Sequence, residues 1–174
     1  MPGTLILGGA RSGKTRYAQQ LAQDSGLAVV YVATATAQDA EMQARIVRHR
    51  DERPAGWTTI EEPLHLADCL RAQAAPGRCV IVDCLTLWLS NLLCFDDDTL
   101  LQHERDALVD VLPALPGQLI LVANETGLGV VPLGALTRRY VDEAGWLHQT
   151  LAQRCERVVM TVAGLPLVLK ERAA

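Results

Sequence analysis

Gly8, Gly13, Lys14 and Thr15 stand at the spacing G-x-x-x-x-G-K-[ST] inside "LILGGARSGKT", residues 5–15. Few chemistries use these residue types in this order. Glycines let the backbone curl until successive N–H groups point inward at phosphate oxygens. Lys14 then offers a cation to the β- and γ-phosphates, and Thr15 offers a hydroxyl to Mg²⁺. An apolar run precedes the loop and a helical pattern follows it, so a positive helix N-terminus lies under the same phosphates. Gly8, Gly9, Ala10, Arg11, Ser12, Gly13, Lys14 and Thr15 are therefore expected to cradle a nucleoside triphosphate, ATP or GTP.

A second phosphate element is expected in "CVIVDC", 79–84, where Asp83 closes an apolar run. A carboxylate there holds Mg²⁺ directly or through water. Many buried strands end in Asp, so the reading depends on the glycine loop beside it.

A third cluster lies in "TATAQDAEMQARIVRHRDERPAGWTTIEEP", 34–63. If "AEMQARIVRHR" is helical, Met42, Ile46 and His49 share one stripe, and Pro54 ends the helix, because the residue before a proline avoids the helical region. Spacing alone makes His49 a packed histidine. Its flanks argue otherwise: Arg45, Arg48, Arg50 and Arg53 crowd around it. Crowded cations ask for an anion, and they disfavour imidazolium, leaving a neutral and nucleophilic ring. Such a ring beside an electrophilic phosphorus can form a phosphoramidate. The residues alone leave both readings of His49 open.

These groups need elements to position them. The runs 4–8, 28–34, 79–84, 118–124 and 157–164 are β-branched and nearly continuous, as strands covered on both faces are. Helical patterns over 14–26, 64–75, 99–112 and 136–155 alternate with them, and Tyr17, Ala18, Leu21 and Ala22 share a face in the first. Alternation of this kind predicts an α/β fold with a mainly parallel sheet and right-handed crossovers. "LPLVLK", 165–170, follows Gly164 closely enough to close a short C-terminal hairpin, and "FDDDT", 95–99, reads as a solvated helix start. The glycine loop "NETGLG" follows the run 118–124. It is either a tight turn or a wall of the site, with Asn124 and Glu125 at the carboxyl edge where open α/β sheets bind ligands.

At 174 residues the chain is expected to form a single domain, 1–174. Its net charge of −4 argues against a nucleic-acid surface. No apolar run reaches the ~18 residues of a membrane span, and the N-terminus has no basic, apolar leader pattern. Five scattered cysteines without metal-ligand spacing read as reduced thiols, so a cytoplasmic location is expected. His65 and His103 are expected at the surface, His148 as a structural histidine, and Trp57, Trp88 and Trp146 in the core.

Six blocks occur in one order: "GGARSGKT", "YVATA", "DAEMQARIVRHRDERPAGWTTIEEP", "DCLTLWLSNLL", "NETGLGVVP" and "RRYVDEAGWLHQTLA". Together they resemble the bifunctional adenosylcobinamide kinase / adenosylcobinamide-phosphate guanylyltransferase family of cobalamin biosynthesis, over residues 4 to about 170. The glycine loop is shared with many families, whereas "RI-x-x-H-x-x-x-RP-x-x-W" and "NE-x-G-x-G-x-VP" are far more restrictive. The resemblance implies a RecA-like P-loop core, a homotrimer, and a corrinoid substrate, adenosylcobinamide and its phosphate. It implies phosphorylation of the aminopropanol hydroxyl, then transfer of GMP from GTP through a guanylylated histidine, which falls on His49. It further implies nucleotide contacts at Thr34, Ala35, Thr36, Arg50, Asp51, Glu52, Arg53, Glu61 and Asp83, with Thr15 and Asp83 at the metal. Some relatives carry Glu at 83 and Asn at 148, where this chain has Asp83 and His148. A plain small-molecule kinase would share the loop and Asp83 but has no use for His49 among four arginines. A nucleotide-operated switch would want a guanine-reading N-K-x-D, which is absent.

Overall fold

The computed structural model describes residues 3–36, 40–51, 53–95 and 97–171. The apolar runs become strands β1 (Gly3–Gly8), β2 (Ala28–Ala33), β4 (Arg78–Asp83), β5 (Gln118–Val122) and β6 (Arg157–Val162), with β3 (Thr58–Glu61) and β7 (Leu165–Glu171) at the two edges. The sheet order is β3-β2-β4-β5-β1-β6-β7. All neighbouring pairs are parallel except the antiparallel β6–β7 hairpin, which turns through Ala163 and Gly164, both at positive φ.

Parallel crossovers put helices on both faces, so alternate side chains of each strand enter different cores. Helix α1 (Lys14–Asp24) lays Ala18 and Ala22 against Ile6, Ile81, Ile120 and Val122. Helices α3 (Leu66–Gln73), α4 (Leu85–Cys94), α5 (Asp98–Val111) and α6 (Ala135–Arg154) cover Leu5, Leu7, Val32, Val82 and Leu121 on the other face. The expected α/β class, the mainly parallel sheet and the C-terminal hairpin are all present. Helix α2 (Ala40–Asp51) carries the arginine-rich segment and lies in the connection between the paired strands β2 and β3.

Local signals explain the boundaries. Asp97 caps α5 by accepting from the N–H groups of Thr99 (2.9 Å) and Leu100 (3.1 Å), the solvated start expected there. At the end of α6, the Lys170 ammonium from β7 donates to the carbonyls of Ala152, Gln153 and Cys155, a cation placed where the helix is negative. Trp88 is fully buried and donates Nε1–H to the Leu64 carbonyl at 2.7 Å.

One expectation about side chains needs correction. Trp146 is 57% exposed rather than in the core, because it sits on the outer face of α6. His65 lies at the surface as expected, and it has a partner there: its Nδ1 lies 2.8 Å from Oε1 of the buried Glu104, across the α3–α5 contact. That hydrogen bond holds the His65 pKa above its ordinary value. A histidine whose folded pKa exceeds its unfolded one stabilises most below about pH 6.5, and the contribution fades as pH rises through the folded value. His65→Ala should therefore lower the unfolding midpoint more at pH 6 than at pH 8.5 in thermal melts. An equal loss at both pH values would mean that the pair carries no linkage.

Candidate active site

The carboxyl ends of the central strands meet at one edge. In register, Glu61, Ala33, Asp83 and Val122 lie side by side on β3, β2, β4 and β5, and Ile6 of β1 follows. Each strand leads directly into one of the segments singled out from the sequence.

Beyond β1 the glycine loop takes its curled form. Gly8 has φ 152 and Gly13 φ 99, with Arg11 also positive at φ 55. A Cβ on Gly8 would come within 2.6 Å of Ser12 and Thr161, and one on Gly13 would meet the backbone of Gly164 at 3.1 Å. Both positions thus require glycine for conformation and for space. The β6–β7 hairpin buttresses the loop from behind: Gly164 N–H donates to the Ser12 carbonyl (2.9 Å), and the Ser12 and Thr161 hydroxyls share a 2.8 Å hydrogen bond. Lys14 opens α1, is only 7% exposed, and donates its ammonium to the Gly9 carbonyl at 2.6 Å. Its charge is therefore held over the loop rather than in solvent. Gly9, Ala10 and Arg11 form the outer rim.

Thr15 and Asp83 come together as expected. The Thr15 hydroxyl donates to Asp83 Oδ2 at 2.9 Å. A hydroxyl and one carboxylate are hard oxygen donors, the kind Mg²⁺ takes alongside substrate phosphates. Among the described residues no cluster of three or more His, Cys, Asp or Glu stands together.

Asp83 has a second donor that the sequence reading missed. Tyr31 of β2 donates its hydroxyl to the same Oδ2 at 2.6 Å. The parallel register explains the pairing: Tyr31 stands opposite Ile81 and Ala33 opposite Asp83, so the two residues are diagonal neighbours on one sheet face. Burial first, then the Asp83 charge, pushes the Tyr31 pKa far up, so this phenol remains a donor. Arg53, two residues past α2, lays its guanidinium over the Tyr31 ring, 3.8 Å from the centroid. Trp57 stacks on the same ring at 6.4 Å, and Arg53 also donates to the Thr59 hydroxyl at 3.3 Å. A tyrosine inside an apolar strand, two positions from its end, was the available signal, since a buried hydroxyl must find a partner.

The remaining expected contacts divide. Thr34 is fully buried, and its hydroxyl donates to the Cys84 carbonyl (2.7 Å) and accepts from the Cys84 N–H (3.0 Å). It joins the ends of β2 and β4. Thr36 reaches Asn91 of α4 at 3.3 Å, and Asn91 in turn donates to the carbonyls of Thr34 and Pro63. Ala35 lies between these two threonines. Glu61 is exposed at the end of β3, and Arg50 is exposed on α2. Glu52 lies outside the described residues, as do the side chains of Arg45, Arg48, His49 and Asp51, whose backbone belongs to α2.

Cys84 follows Asp83, but burial pushes its thiol up to about 11, so it is not a thiolate nucleophile at neutral pH. The NETGLG loop starts beside the phosphate loop, with Glu125 N–H donating to the Gly8 carbonyl at 2.9 Å. Burial lowers the His148 pKa, and its Nδ1 stands 3.9 Å from Glu125 Oε2, beyond hydrogen-bond range. His148 is thus a largely buried, neutral histidine of α6, in line with a structural role.

A parallel sheet whose first strand runs into a glycine-curled loop, with a buried lysine on the loop and a Thr–Asp pair across from it, defines a P-loop nucleotide-binding protein. A RadB recombinase crystal structure shares this fold, with a TM-score of 0.54 at 18% identity over 91% of this chain and 73% of its own. Residues 4–169 match the family model for cobinamide kinase / cobinamide phosphate guanyltransferase. A bifunctional adenosylcobalamin biosynthesis protein CobP from Pseudomonas aeruginosa is 67% identical, covering 95% of this chain and 96% of its own. Bifunctional adenosylcobalamin biosynthesis proteins CobU from Escherichia coli and Salmonella typhimurium are each 36% identical, covering 95% of this chain and 98% of their own. The chain belongs to the cobinamide kinase / cobinamide phosphate guanyltransferase family.

Proposed function

We propose that the protein phosphorylates the aminopropanol hydroxyl of adenosylcobinamide with ATP or GTP, and then transfers GMP from GTP to the adenosylcobinamide phosphate. The observation that carries this reading is the seat of Arg53. It joins the segment bearing His49 to the phosphate edge, resting on a tyrosine bonded to Asp83. A plain kinase needs no such connection. The whole chain, residues 1–174, acts in this reading as one nucleotide-binding unit.

In the first reaction the hydroxyl oxygen attacks the γ-phosphorus, a nucleoside diphosphate leaves, and the hydroxyl proton passes to solvent or a base. Lys14 and the loop N–H groups from Gly8 to Thr15 neutralise charge on the phosphates. In the second, a His49 ring nitrogen attacks the α-phosphorus of GTP, the α–β anhydride breaks, and pyrophosphate leaves. A phosphate oxygen of the corrinoid then attacks the phosphorus of guanylyl-histidine, and the P–N bond breaks. Holding the β- and γ-phosphates on the loop exposes the α-phosphorus, so one nucleotide seat serves both reactions. Thr34, Ala35, Thr36, Glu61, Arg50, Asp51, Glu52 and Arg53 surround that seat in this reading. Thr15 and Asp83 would hold Mg²⁺, which draws charge from the phosphates when bound. Thr15→Ala is expected to raise the Mg²⁺ needed for half-maximal rate by about tenfold, with metal-free nucleotide affinity nearly unchanged. Loss of nucleotide binding itself, unrecovered by Mg²⁺, would remove Thr15 from the metal.

Two exposed apolar surfaces support self-association, and the family resemblance sets the expected number of chains at three. Leu165, Leu167 and Leu169 lie open on the edge strand β7, and Val130 and Leu133 are almost fully exposed after the NETGLG loop. Apolar edges of this kind usually mark an interface. Sedimentation should give three chains of 18.9 kDa, and a fully active single chain would contradict it. Among the described residues no helix is long and apolar enough to cross a membrane, and a cytoplasmic site of action fits the substrates.

The deciding experiment supplies adenosylcobinamide, GTP and Mg²⁺ and follows the corrinoid by chromatography. Adenosylcobinamide phosphate should appear first, then adenosylcobinamide-GDP with equimolar pyrophosphate. A reaction that stops at the phosphate leaves only the kinase.

A further inference from the structure

We infer that Tyr31 is a positioning residue that ties the two chemistries of the site together. It sets Asp83 through its hydroxyl and seats Arg53 on its ring. The inference rests on the proposed nucleotide chemistry and deepens it.

The strand register builds the arrangement. Tyr31 is 2% exposed on β2 and cannot turn away, because its ring is packed between sheet and α1 in the smaller core. Its hydroxyl points along the sheet face to Asp83, where it and Thr15 both bond Oδ2, at 2.6 and 2.9 Å. With two donors on one oxygen the carboxylate cannot rotate. Oδ1 takes no hydrogen bond from a described residue, so it would be the oxygen left to meet a phosphate-bound cation. Hydrogen bonds to a ligating carboxylate fix its orientation and so govern metal affinity.

The other end of the tyrosine meets the arginine-rich segment. The Arg53 guanidinium carbon lies over the ring, 3.8 Å from its centroid, an electrostatic attraction that strengthens away from water. Arg53 Nε is buried and makes no hydrogen bond, so the ring is a main holder of this side chain, beside its 3.3 Å bond to Thr59. Between α2 and β3 runs only the short link 52–57. Holding Arg53 therefore limits where the C-terminal end of α2, and with it His49, can sit relative to Asp83. Tyr31 itself touches no reacting atom in this account.

Two substitutions separate its two contacts. Tyr31→Phe keeps the ring and removes the hydroxyl, whereas Tyr31→Leu removes both. Mn²⁺ binding is read by electron paramagnetic resonance with the α,β-methylene analogue of GTP, which the histidine cannot open. GMP capture from GTP is read by intact mass over time at saturating Mg²⁺. Tyr31→Phe should weaken Mn²⁺ by about tenfold while metal-free analogue affinity stays within about twofold. Tyr31→Leu should show the same Mn²⁺ loss and, beyond it, GMP capture slower than in Tyr31→Phe by about fivefold. Should Tyr31→Leu fail to fold, Tyr31→Met removes the ring and the hydroxyl with a side chain closer in length, and is read against Tyr31→Phe in the same way. A folded Tyr31→Phe with a lowered melting temperature but wild-type Mn²⁺ affinity would reduce Tyr31 to a packing residue. Equal capture rates in Tyr31→Phe and Tyr31→Leu would overturn the link to Arg53. If the wild type captures no GMP, guanylyl transfer fails as a reading, yet the Mn²⁺ titration still judges the hold on Asp83.

Discussion

A Lys14→Ala protein should lose both reactions together, each by about 10²–10³-fold. The lysine is buried against the loop at 7% exposure and donates to Gly9, so its charge is committed to whatever the loop holds. Both proposed reactions start from a triphosphate on that loop, one losing its γ-phosphoryl group and the other its pyrophosphate. Neither has another described lysine to turn to, since the only other one, Lys170, is engaged at the end of α6. Circular dichroism distinguishes lost chemistry from lost fold. Phosphorylation lost with GMP transfer retained would require a second nucleotide seat.

His49→Ala, by contrast, should split the reactions. A covalent route deleted at its nucleophile costs orders of magnitude in rate. Corrinoid phosphorylation needs no covalent histidine and should stay within about tenfold of wild type, as positioning and charge neutralisation on the glycine loop carry it. The assay is paired: radiolabel from γ-labelled ATP into corrinoid for the first reaction, and from α-labelled GTP for the second. Equal loss of both in a folded protein would return His49 to the packed histidine that its helical spacing also allows.

Where the pattern was strong, the fold could be read from the residues. β1 and α1 follow from an apolar run, a glycine-lysine turn and an amphipathic stripe, and the hairpin from two runs joined at Gly164. Helix α4 was not legible. "LTLWLSNLLC" is apolar nearly all round and buries Leu85, Trp88, Leu89, Leu92 and Leu93, so no period separates helix from strand. β3 was missed for the opposite reason: it is a four-residue, half-exposed edge strand held by pairing with β2. In the site, the Thr15–Asp83 pair was foreseeable because both residues belong to motifs. Tyr31 was not, since its role arises from register with β4 and from the return of the chain at Arg53, both of them long-range. His65 shows the same limit, for its partner Glu104 lies 39 positions away.

Guanylyl transfer in this protein depends on a histidine of α2 taking GMP from a nucleotide held by the glycine loop. The purified protein is incubated with GTP and Mg²⁺, without corrinoid, and read by intact mass and by peptide mapping at neutral to alkaline pH. One GMP per chain is expected, labile to acid and stable to base, on the peptide carrying His49, and none on the Lys14→Ala or His49→Ala proteins. An unmodified wild-type mass, or GMP mapped to Lys14 or any residue other than His49, would contradict it.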